Sequence, residues 1–321
     1  MRPNKQKKYL VGLEFGGTNI KAALFDNTPK IIQQEFQPTH AQLGVESVLK
    51  RIKKIIHNLI DKENILSNHL MGIGIASPGP LDTKKGIIFN SPNLPGWKRV
   101  PLKNVIKREF NVPVILEKDT NAIALGEYWM GNGKGVDHLI CITIGTGVGG
   151  GIILNGQIWH GRDDLGGEIG HMIIEKDGLE CNCGNKGCLE AFVSATGIVK
   201  RTIQALNKGR VSSLSKKRNK LTSELIFNEA KKGDRLSLEI VHETAEYLGI
   251  GLANLVNILN PEIIILGGGV SHSGEILFRP TLKELKKGAF LRGVEHLKVL
   301  PSKLGNKAGI LGSIYPFFHK T

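Results

Sequence analysis

The segment Gly166–Glu190, with the sequence GGEIGHMIIEKDGLECNCGNKGCLE, constrains this chain more than any other part of it. It contains three of the four cysteines, and a histidine precedes the first of them by ten residues. Three thiolates and one imidazole match the four tetrahedral ligands of a closed structural zinc site. The predicted ligands are His171, Cys181, Cys183 and Cys188. The segment therefore predicts a zinc knuckle at residues 171–188 that braces a loop, because all four ligand positions are filled by protein.

The spacing of the cysteines leaves two weaker alternatives, which are free thiols in a turn and a disulfide. A disulfide would leave one cysteine of the cluster unpaired, and nothing upstream marks the chain for an oxidising compartment. The Cys-x-Cys spacing is tighter than that of ordinary zinc fingers, but Gly184 and Gly187 let a short loop curl around one ion. The carboxylates of Glu168 and Glu190 flank the knuckle, and a braced loop would position them for a polar ligand.

The length of 321 residues favours two lobes over a single domain. The 40% of apolar residues suits an ordinary globular core, and no apolar run approaches the roughly 18 residues of a membrane span. The basic N-terminus runs directly into a strand-like segment and lacks the apolar region of a signal peptide, so we expect a cytoplasmic protein.

The formal net charge of +14 could favour nucleic acid, a membrane surface or an anionic substrate. The lysines are scattered, however, and the run at residues 216–220 lies in a polar loop. A solvated basic surface is therefore the favoured interpretation, and attraction of a polyphosphorylated ligand is the alternative.

Three glycine-rich turns follow strand-like segments, and their backbone N–H groups could approach phosphate closely. They lie at Gly16–Thr18, Gly145–Gly147 and Gly267–Gly269. The first two share one plan of strand, Gly/Thr turn and strand, which indicates two lobes that each contribute one turn. None of the three fits the P-loop or the dinucleotide-binding pattern. The turns therefore predict a nucleotide phosphate site divided between two lobes.

Asp119 ends the strand-like segment VPVILEKD and precedes the helical segment TNAIALGEYWM. Residues at the carboxyl ends of strands in open α/β sheets line ligand crevices. Phosphoryl transfer to a hydroxyl group needs a carboxylate that accepts its proton, together with a phosphate site and usually a divalent metal. Asp119 is therefore the candidate base, and a helix N-cap is the alternative role.

Five motifs together resemble the ROK family of sugar kinases and repressors, over nearly the whole chain and in the same order. They are LEFGGTNIKAAL, IGTGVGGGIILNGQ, GGEIGHM, C-x-C-G-x-x-G-C-x-E and ILGGGVS. The resemblance implies an α/β fold, the two-lobed actin-like ATPase (ribonuclease H-like) fold with a central cleft and a zinc knuckle. We expect residues 1–118 plus about 301–321 to form a small lobe and residues 119–300 a large lobe.

The same resemblance implies roles for individual residues, with ATP, Mg²⁺ and a structural Zn²⁺ as cofactors. ATP would be held by Glu14, Gly16, Gly17, Thr18, Lys21, Thr146, Gly147, Gly267, Gly268 and Gly269. The sugar would be lined by Gly79, Asn93, Lys118, Glu168, His171 and Glu190, with Asp119 as the base. His171 can serve both zinc and sugar only if one ring nitrogen binds the metal and the other faces the sugar.

Two residues depart from the family pattern. Glu14 stands where the first turn usually opens with aspartate, and Lys118 stands where asparagine often contacts a sugar hydroxyl. An ammonium group donates hydrogen bonds but cannot accept them. The identity of the sugar is therefore the least constrained expectation.

The implied function is an ATP-dependent hexose kinase, resembling glucokinases, that phosphorylates the 6-hydroxyl of glucose. Kinases of N-acetylglucosamine, N-acetylmannosamine or fructose are alternatives, as is a polyphosphate-dependent glucokinase. A sugar-sensing transcriptional regulator is disfavoured, because that branch carries a helix-turn-helix module before the first glycine turn and only eight residues precede Tyr9. We expect a sugar and a nucleotide as ligands, no specific nucleic acid or membrane partner, and a homodimer or homotetramer.

Overall fold

The computed structural model describes residues 8–91 and 94–319. The strands are β1 (Tyr9–Phe15), β2 (Asn19–Asp26), β3 (Ile31–Pro38), β4 (Leu70–Ser77), β5 (Leu81–Asp82), β6 (Ile87–Ile88), β7 (Val114–Lys118), β8 (Leu139–Ile144), β9 (Val148–Leu154), β10 (Gln157–Ile158), β11 (Ile263–Gly267) and β12 (Lys298–Pro301). The helices are α1 (Gly44–Lys62), α2 (Leu102–Phe110), α3 (Asp119–Met130), α4 (Leu189–Val193), α5 (Ala195–Asn207), α6 (Ser223–Lys231), α7 (Arg235–Leu259), α8 (Glu275–Gly288), α9 (Leu291–Val294) and α10 (Ala308–Phe318). In the part of the chain that the structure describes, none of these helices combines the length and apolar character that a membrane crossing requires.

The described residues form two compact units. The first takes those within 1–134, 157–166 and 306–321, and the second takes 135–156 and 167–305. The structure contains two mixed five-stranded sheets, which confirms the predicted two-lobed α/β class. The resemblance implies a large lobe that begins at residue 119, whereas α3 lies in the first unit because it packs against α10.

The sheet of the first unit has the strand order β3-β2-β1-β4-β7. β1, β2 and β3 pair antiparallel, while β1, β4 and β7 run parallel. α1 contributes an apolar face to the core, which includes Ile52, Ile56 and Leu59, because these residues recur with helical spacing. The parallel pairing places the carboxyl ends of β1, β4 and β7 at one edge of the sheet.

The second unit contributes β9, β8, β11 and β12 to its sheet, in that order. β8 and β9 form an antiparallel hairpin, and β8, β11 and β12 run parallel. The order therefore repeats that of the first sheet, with a hairpin followed by two parallel neighbours. This repeat is what the two Gly/Thr turns indicated. The core of the unit includes Ile142, Leu248 and Leu252, from β8 and the long helix α7.

The segment at residues 191–208 differs from what its hydrophobic periodicity predicts. That periodicity predicts one helix at about 191–208, but the structure divides this segment into α4 and α5. Ser194 separates them because its backbone is extended, and its hydroxyl accepts the N–H of Gly197 as the N-cap of α5. An N-cap serine satisfies one of the free N–H groups of the first turn.

α10 completes the first unit by packing on α3, β1 and β4. Glycines make this packing close. A β-carbon at Gly312 would lie 1.6 Å from the carbonyl oxygen of Ala122, and one at Gly74 would lie 2.0 Å from that of Ser313. Neither neighbour is the flexible end of a side chain, so backbone would have to move to admit a methyl group.

Substitution of Gly312 by alanine tests this packing. We expect Gly312→Ala to lower the free energy of unfolding by about 1–3 kcal/mol or more, since overpacking forces backbone shifts. Chemical denaturation measures the change. Gly145→Ala is the control, because among the described residues no heavy atom lies within 4 Å of its added β-carbon. Equal stability of Gly312→Ala and the wild type would contradict the close approach of α10 and α3.

Candidate functional site

The four predicted zinc ligands come together in the second unit. The ligand atoms of His171, Cys181, Cys183 and Cys188 all lie within 4.8 Å of one another. Nδ1 of His171 is 3.7 Å from Sγ of Cys181, and the sulfurs of Cys183 and Cys188 are also 3.7 Å apart. A cluster of three thiols and one imidazole fits zinc, which prefers sulfur and nitrogen ligands. These residues would hold the ion, and the ion would cross-link the loop.

Backbone conformation explains how this short loop folds. Gly184 and Gly187 have φ values of 93° and 76°, which L side chains rarely adopt. A β-carbon at Gly187 would also lie only 1.8 Å from the carbonyl oxygen of Glu175. The glycines therefore curl the chain as predicted and bring Cys183 and Cys188 to the same side.

Glu190 connects the zinc cluster to the second glycine turn. Its Oε2 accepts the backbone N–H of Val148 at 2.8 Å, and its Oε1 lies 3.7 Å from Sγ of Cys181. A β-carbon at Gly147 would be 2.5 Å from the same Oε2. The absence of a side chain at residue 147 therefore leaves space for the carboxylate.

The start of α5 holds the same turn from the other side. The N–H of Ala195 donates to the carbonyl of Gly145 at 2.8 Å, and the hydroxyl of Thr196 donates to the carbonyl of Thr146 at 2.7 Å. Thr196 is not among the residues predicted from the sequence. The sequence Ser-Ala-Thr-Gly at residues 194–197 is a typical helix start and could have identified it. This sequence lies within the segment where the periodicity predicts a single helix.

The third glycine turn lies against the second. Gly268 has a φ of 84°, and its β-carbon would lie 2.5 Å from the carbonyl oxygen of Ile144. The hydroxyl of Ser271 donates to the carbonyl of Gly268 at 2.7 Å and fixes the turn. The structure thus brings the turns at 145–147 and 267–269 together, because they follow the parallel strands β8 and β11.

A cavity of about 670 Å³ opens beside Thr146. Ala195, Val199, Ile203 and Leu221 form its apolar lining. Lys200 and Thr196 also line it. A predominantly apolar cavity with a few polar groups is the usual form of a small-molecule site.

Predicted residues of the first unit lie at the carboxyl edge of its sheet. Glu14 of β1 pairs with Ala76 of β4, and Ser77 of β4 pairs with Lys118 of β7. The glycine turn after β1, the turn containing Gly79 after β4, and Asp119 after β7 therefore share one edge. Gly16, Gly17 and Thr18 form the first of these turns.

The backbone places Asp119 as the first residue of α3, with Lys118 as the N-cap residue. Oδ1 of Asp119 accepts the N–H of Thr120 at 2.8 Å. Asp119 therefore supports the helix start without being its N-cap. A negative charge in the first turn also interacts favourably with the helix dipole. Lys118 is buried, with 6% of its surface exposed.

Glu14 and Lys21 face each other across the β1–β2 hairpin. Their residues are cross-strand partners, and Nζ of Lys21 is 3.9 Å from Oε1 of Glu14. Burial raises the pKa of the Glu14 carboxyl above its usual range, and the Lys21 ammonium partly offsets this by lowering it.

The remaining sugar-lining residues predicted from the resemblance are Glu168, His171 and Asn93. Glu168 is exposed and precedes the turn that carries His171, whose N–H donates to the carbonyl of Glu168 at 3.0 Å. These two residues thus belong to one turn beside the zinc cluster. Asn93 lies outside the described residues.

Metal analysis tests the cluster. We expect about one zinc ion per chain, and we expect Cys183→Ser to lose it and to unfold at a lower temperature, because metal binding contributes to folding. Cys141→Ser is the control, since Cys141 is a core residue of β8 outside the cluster. Wild-type zinc content in Cys183→Ser would contradict this ligand set.

Comparisons with known proteins point to one protein family. Residues 10–318 match the ROK family. A glucokinase of Halalkalibacterium halodurans is 38% identical over 95% of this chain and 93% of its own, and a xylose repressor of Caldicellulosiruptor bescii is 32% identical over 98% and 79%. The crystal structure of a ROK family glucokinase from Streptomyces griseus, in complex with glucose and AMPPNP, superposes with a TM-score of 0.79 at 32% identity, over 95% and 97% of the two chains. The chain therefore belongs to the ROK family.

Proposed function

We propose that this protein is an ATP-dependent sugar kinase that transfers the γ-phosphoryl group to the 6-hydroxyl of glucose. One observation carries the proposal: Asp119 and the glycine turn at residues 16–18 share the carboxyl edge of the first sheet. A carboxylate that can accept a proton and a backbone turn that can bind phosphate are two of the groups that phosphoryl transfer to an alcohol needs. The glucokinases among the relatives support glucose as the acceptor.

The nucleotide base would occupy the apolar cavity beside Thr146. Val199, Ile203 and Leu221 offer it an apolar surface, and the N-terminus of α5 favours the negative charge of phosphate. The turns at Gly147 and at Gly267–Gly269 would contact the nucleotide through their backbones. Polyphosphate has no base to fill this cavity, which is why ATP is the proposed donor.

The sugar would be bound by side chains that can accept or donate hydrogen bonds to its hydroxyl groups. The proposed residues are Gly79, Asn93, Lys118, Glu168, His171 and Glu190. Nδ1 of His171 faces the sulfur of Cys181, so Nε2 is the nitrogen left for the sugar. The zinc cluster would then fix the ring orientation of His171.

In the proposed reaction the Asp119 carboxylate accepts the proton of the 6-hydroxyl group. The sugar oxygen forms a bond to the γ-phosphorus, and the bond from that phosphorus to the bridging oxygen of ADP breaks. A magnesium ion bound with the nucleotide supplies positive charge that neutralises the phosphate oxygens. The backbone N–H groups of the glycine turns, Glu14 and Lys21 would orient the phosphates.

A sugar-responsive regulator is the second candidate, because the alignment with a xylose repressor covers 98% of this chain and the net charge is +14. The kinase proposal predicts the absence of salt-sensitive, sequence-specific binding to duplex DNA in a gel-shift experiment. Specific binding that the sugar abolishes would favour the regulator.

Substitution of the proposed base tests the mechanism. We expect Asp119→Asn to reduce kcat by roughly two to four orders of magnitude, since the amide cannot accept the proton. The amide oxygen can still accept the N–H of Thr120, so sugar affinity and stability should change little. A coupled assay of ADP release gives kcat and KM. Asp61→Asn, an exposed change on α1, is the control. A loss smaller than tenfold would assign the base to another carboxylate.

A panel of sugars with MgATP tests the acceptor. We expect kcat/KM to be highest for glucose among glucose, N-acetylglucosamine, N-acetylmannosamine, mannose and fructose. Lys118→Asn should improve or broaden sugar use, because asparagine restores a hydrogen-bond acceptor at the buried end of β7. A kcat/KM for glucose well below that for an N-acetyl sugar or fructose would contradict glucose specificity. It would leave the kinase proposal intact.

A further inference from the structure

A buried carboxylate lies two residues before the proposed base. Glu117 is the penultimate residue of β7, and only 5% of its surface is exposed. Its Oε1 accepts the backbone N–H of Lys118 at 2.9 Å and the side-chain amide of Asn121 at 3.0 Å. Glu117 thus contacts residues on both sides of Asp119 in the chain. Lys118 directly precedes Asp119, and Asn121 follows it in the first turn of α3.

The other oxygen of Glu117 has a partner distant in sequence. Nε2 of His160 lies 2.8 Å from Oε2. A buried carboxylate is stabilised by hydrogen bonds from several donors. His160 is therefore the third partner of Glu117, and it lies outside the β7–α3 segment.

The segment that carries His160 has its own fixed shape. The N–H of Gly166 donates to the carbonyl of His160 at 2.8 Å and closes the loop. Asp164 accepts the backbone N–H of Thr83 at 3.0 Å and its hydroxyl at 2.9 Å. Two hydrogen bonds thus anchor the loop to Thr83, and the imidazole is presented to Glu117 from a closed and anchored loop.

We propose that His160 is a positioning residue for the Asp119 base, acting through Glu117 and the first turn of α3. This inference rests on the proposed kinase function. His160 fixes one oxygen of Glu117, and the other oxygen of Glu117 fixes Lys118 and Asn121. The carboxylate of Asp119, which lies between these two residues, is thereby held in one orientation. Small displacements of a catalytic group are costly because the reacting atoms must be aligned.

The charge of His160 makes this positioning dependent on pH. The hydrogen bond to Glu117 raises the pKa of His160, burial lowers it, the charges of Glu117 and Asp164 raise it, and Lys84 lowers it. Because the pKa is raised on folding, the added stability is fully present below the unfolded value of about 6.5 and is lost as pH rises through the folded value. The positioning is thus strongest while the imidazole is protonated.

Steady-state kinetics of four proteins across pH test the inference, with glucose and MgATP as substrates. We expect His160→Ala to lower kcat by roughly tenfold to a hundredfold with little change in the KM for either substrate. His160→Gln keeps a neutral donor near the position of Nε2, so it should restore most of the kcat. The wild-type kcat should fall as pH rises through the raised pKa of His160, and His160→Gln should lack that fall.

His57→Ala is the matched control, because Nε2 of His57 lies 3.1 Å from Oε1 of Glu109 in a similar pair on the surface of the same unit. It should retain wild-type kcat and its pH profile. Wild-type kinetics in His160→Ala, or an unchanged pH profile in His160→Gln, would overturn the inference; if the alanine variant does not fold, the glutamine profile decides. A wild type inactive on every sugar would overturn the proposed function and this inference with it.

Discussion

Parallel hydrogen bonding between strands is the constraint on which the rest of this structure depends. In the first unit it brings the ends of β1, β4 and β7 to one edge, and in the second it does the same for β8, β11 and β12. Residues more than a hundred positions apart in the chain become neighbours through this arrangement. Chemistry in open α/β sheets concentrates at such edges because loops there are free to carry polar groups.

Much of the fold and of the candidate site was predictable from local sequence. Helical spacing of apolar residues marked α1, and the glycines at 184 and 187 marked a loop that only small residues permit. The break at Ser194 was missed because periodicity continues across it, so the N-cap hydrogen bond decides the boundary. The contact between Glu117 and His160 could not be predicted, because 43 residues separate the partners and neither belongs to a motif.

Glu190 connects the metal cluster to the glycine turn that follows β8. Its carboxylate lies near a cluster cysteine and also accepts a backbone N–H of the turn that contains Thr146. Rigidity of the knuckle is thus transmitted to that turn by one hydrogen bond. The residue at position 147 has to be small for this contact, so the metal cluster and the glycine turn depend on each other.

The position of α10 has a consequence for folding during synthesis. This helix covers part of the first sheet, yet the ribosome makes it after the entire second unit. Part of the apolar face of the N-terminal sheet consequently stays uncovered until α10 has been synthesised. The second unit can already form its own core during this interval. Exposed apolar surface of this kind is prone to aggregation and attracts chaperones. Assembly of the first unit is therefore a late, long-range event, and its rate depends on how fast the two distant segments meet.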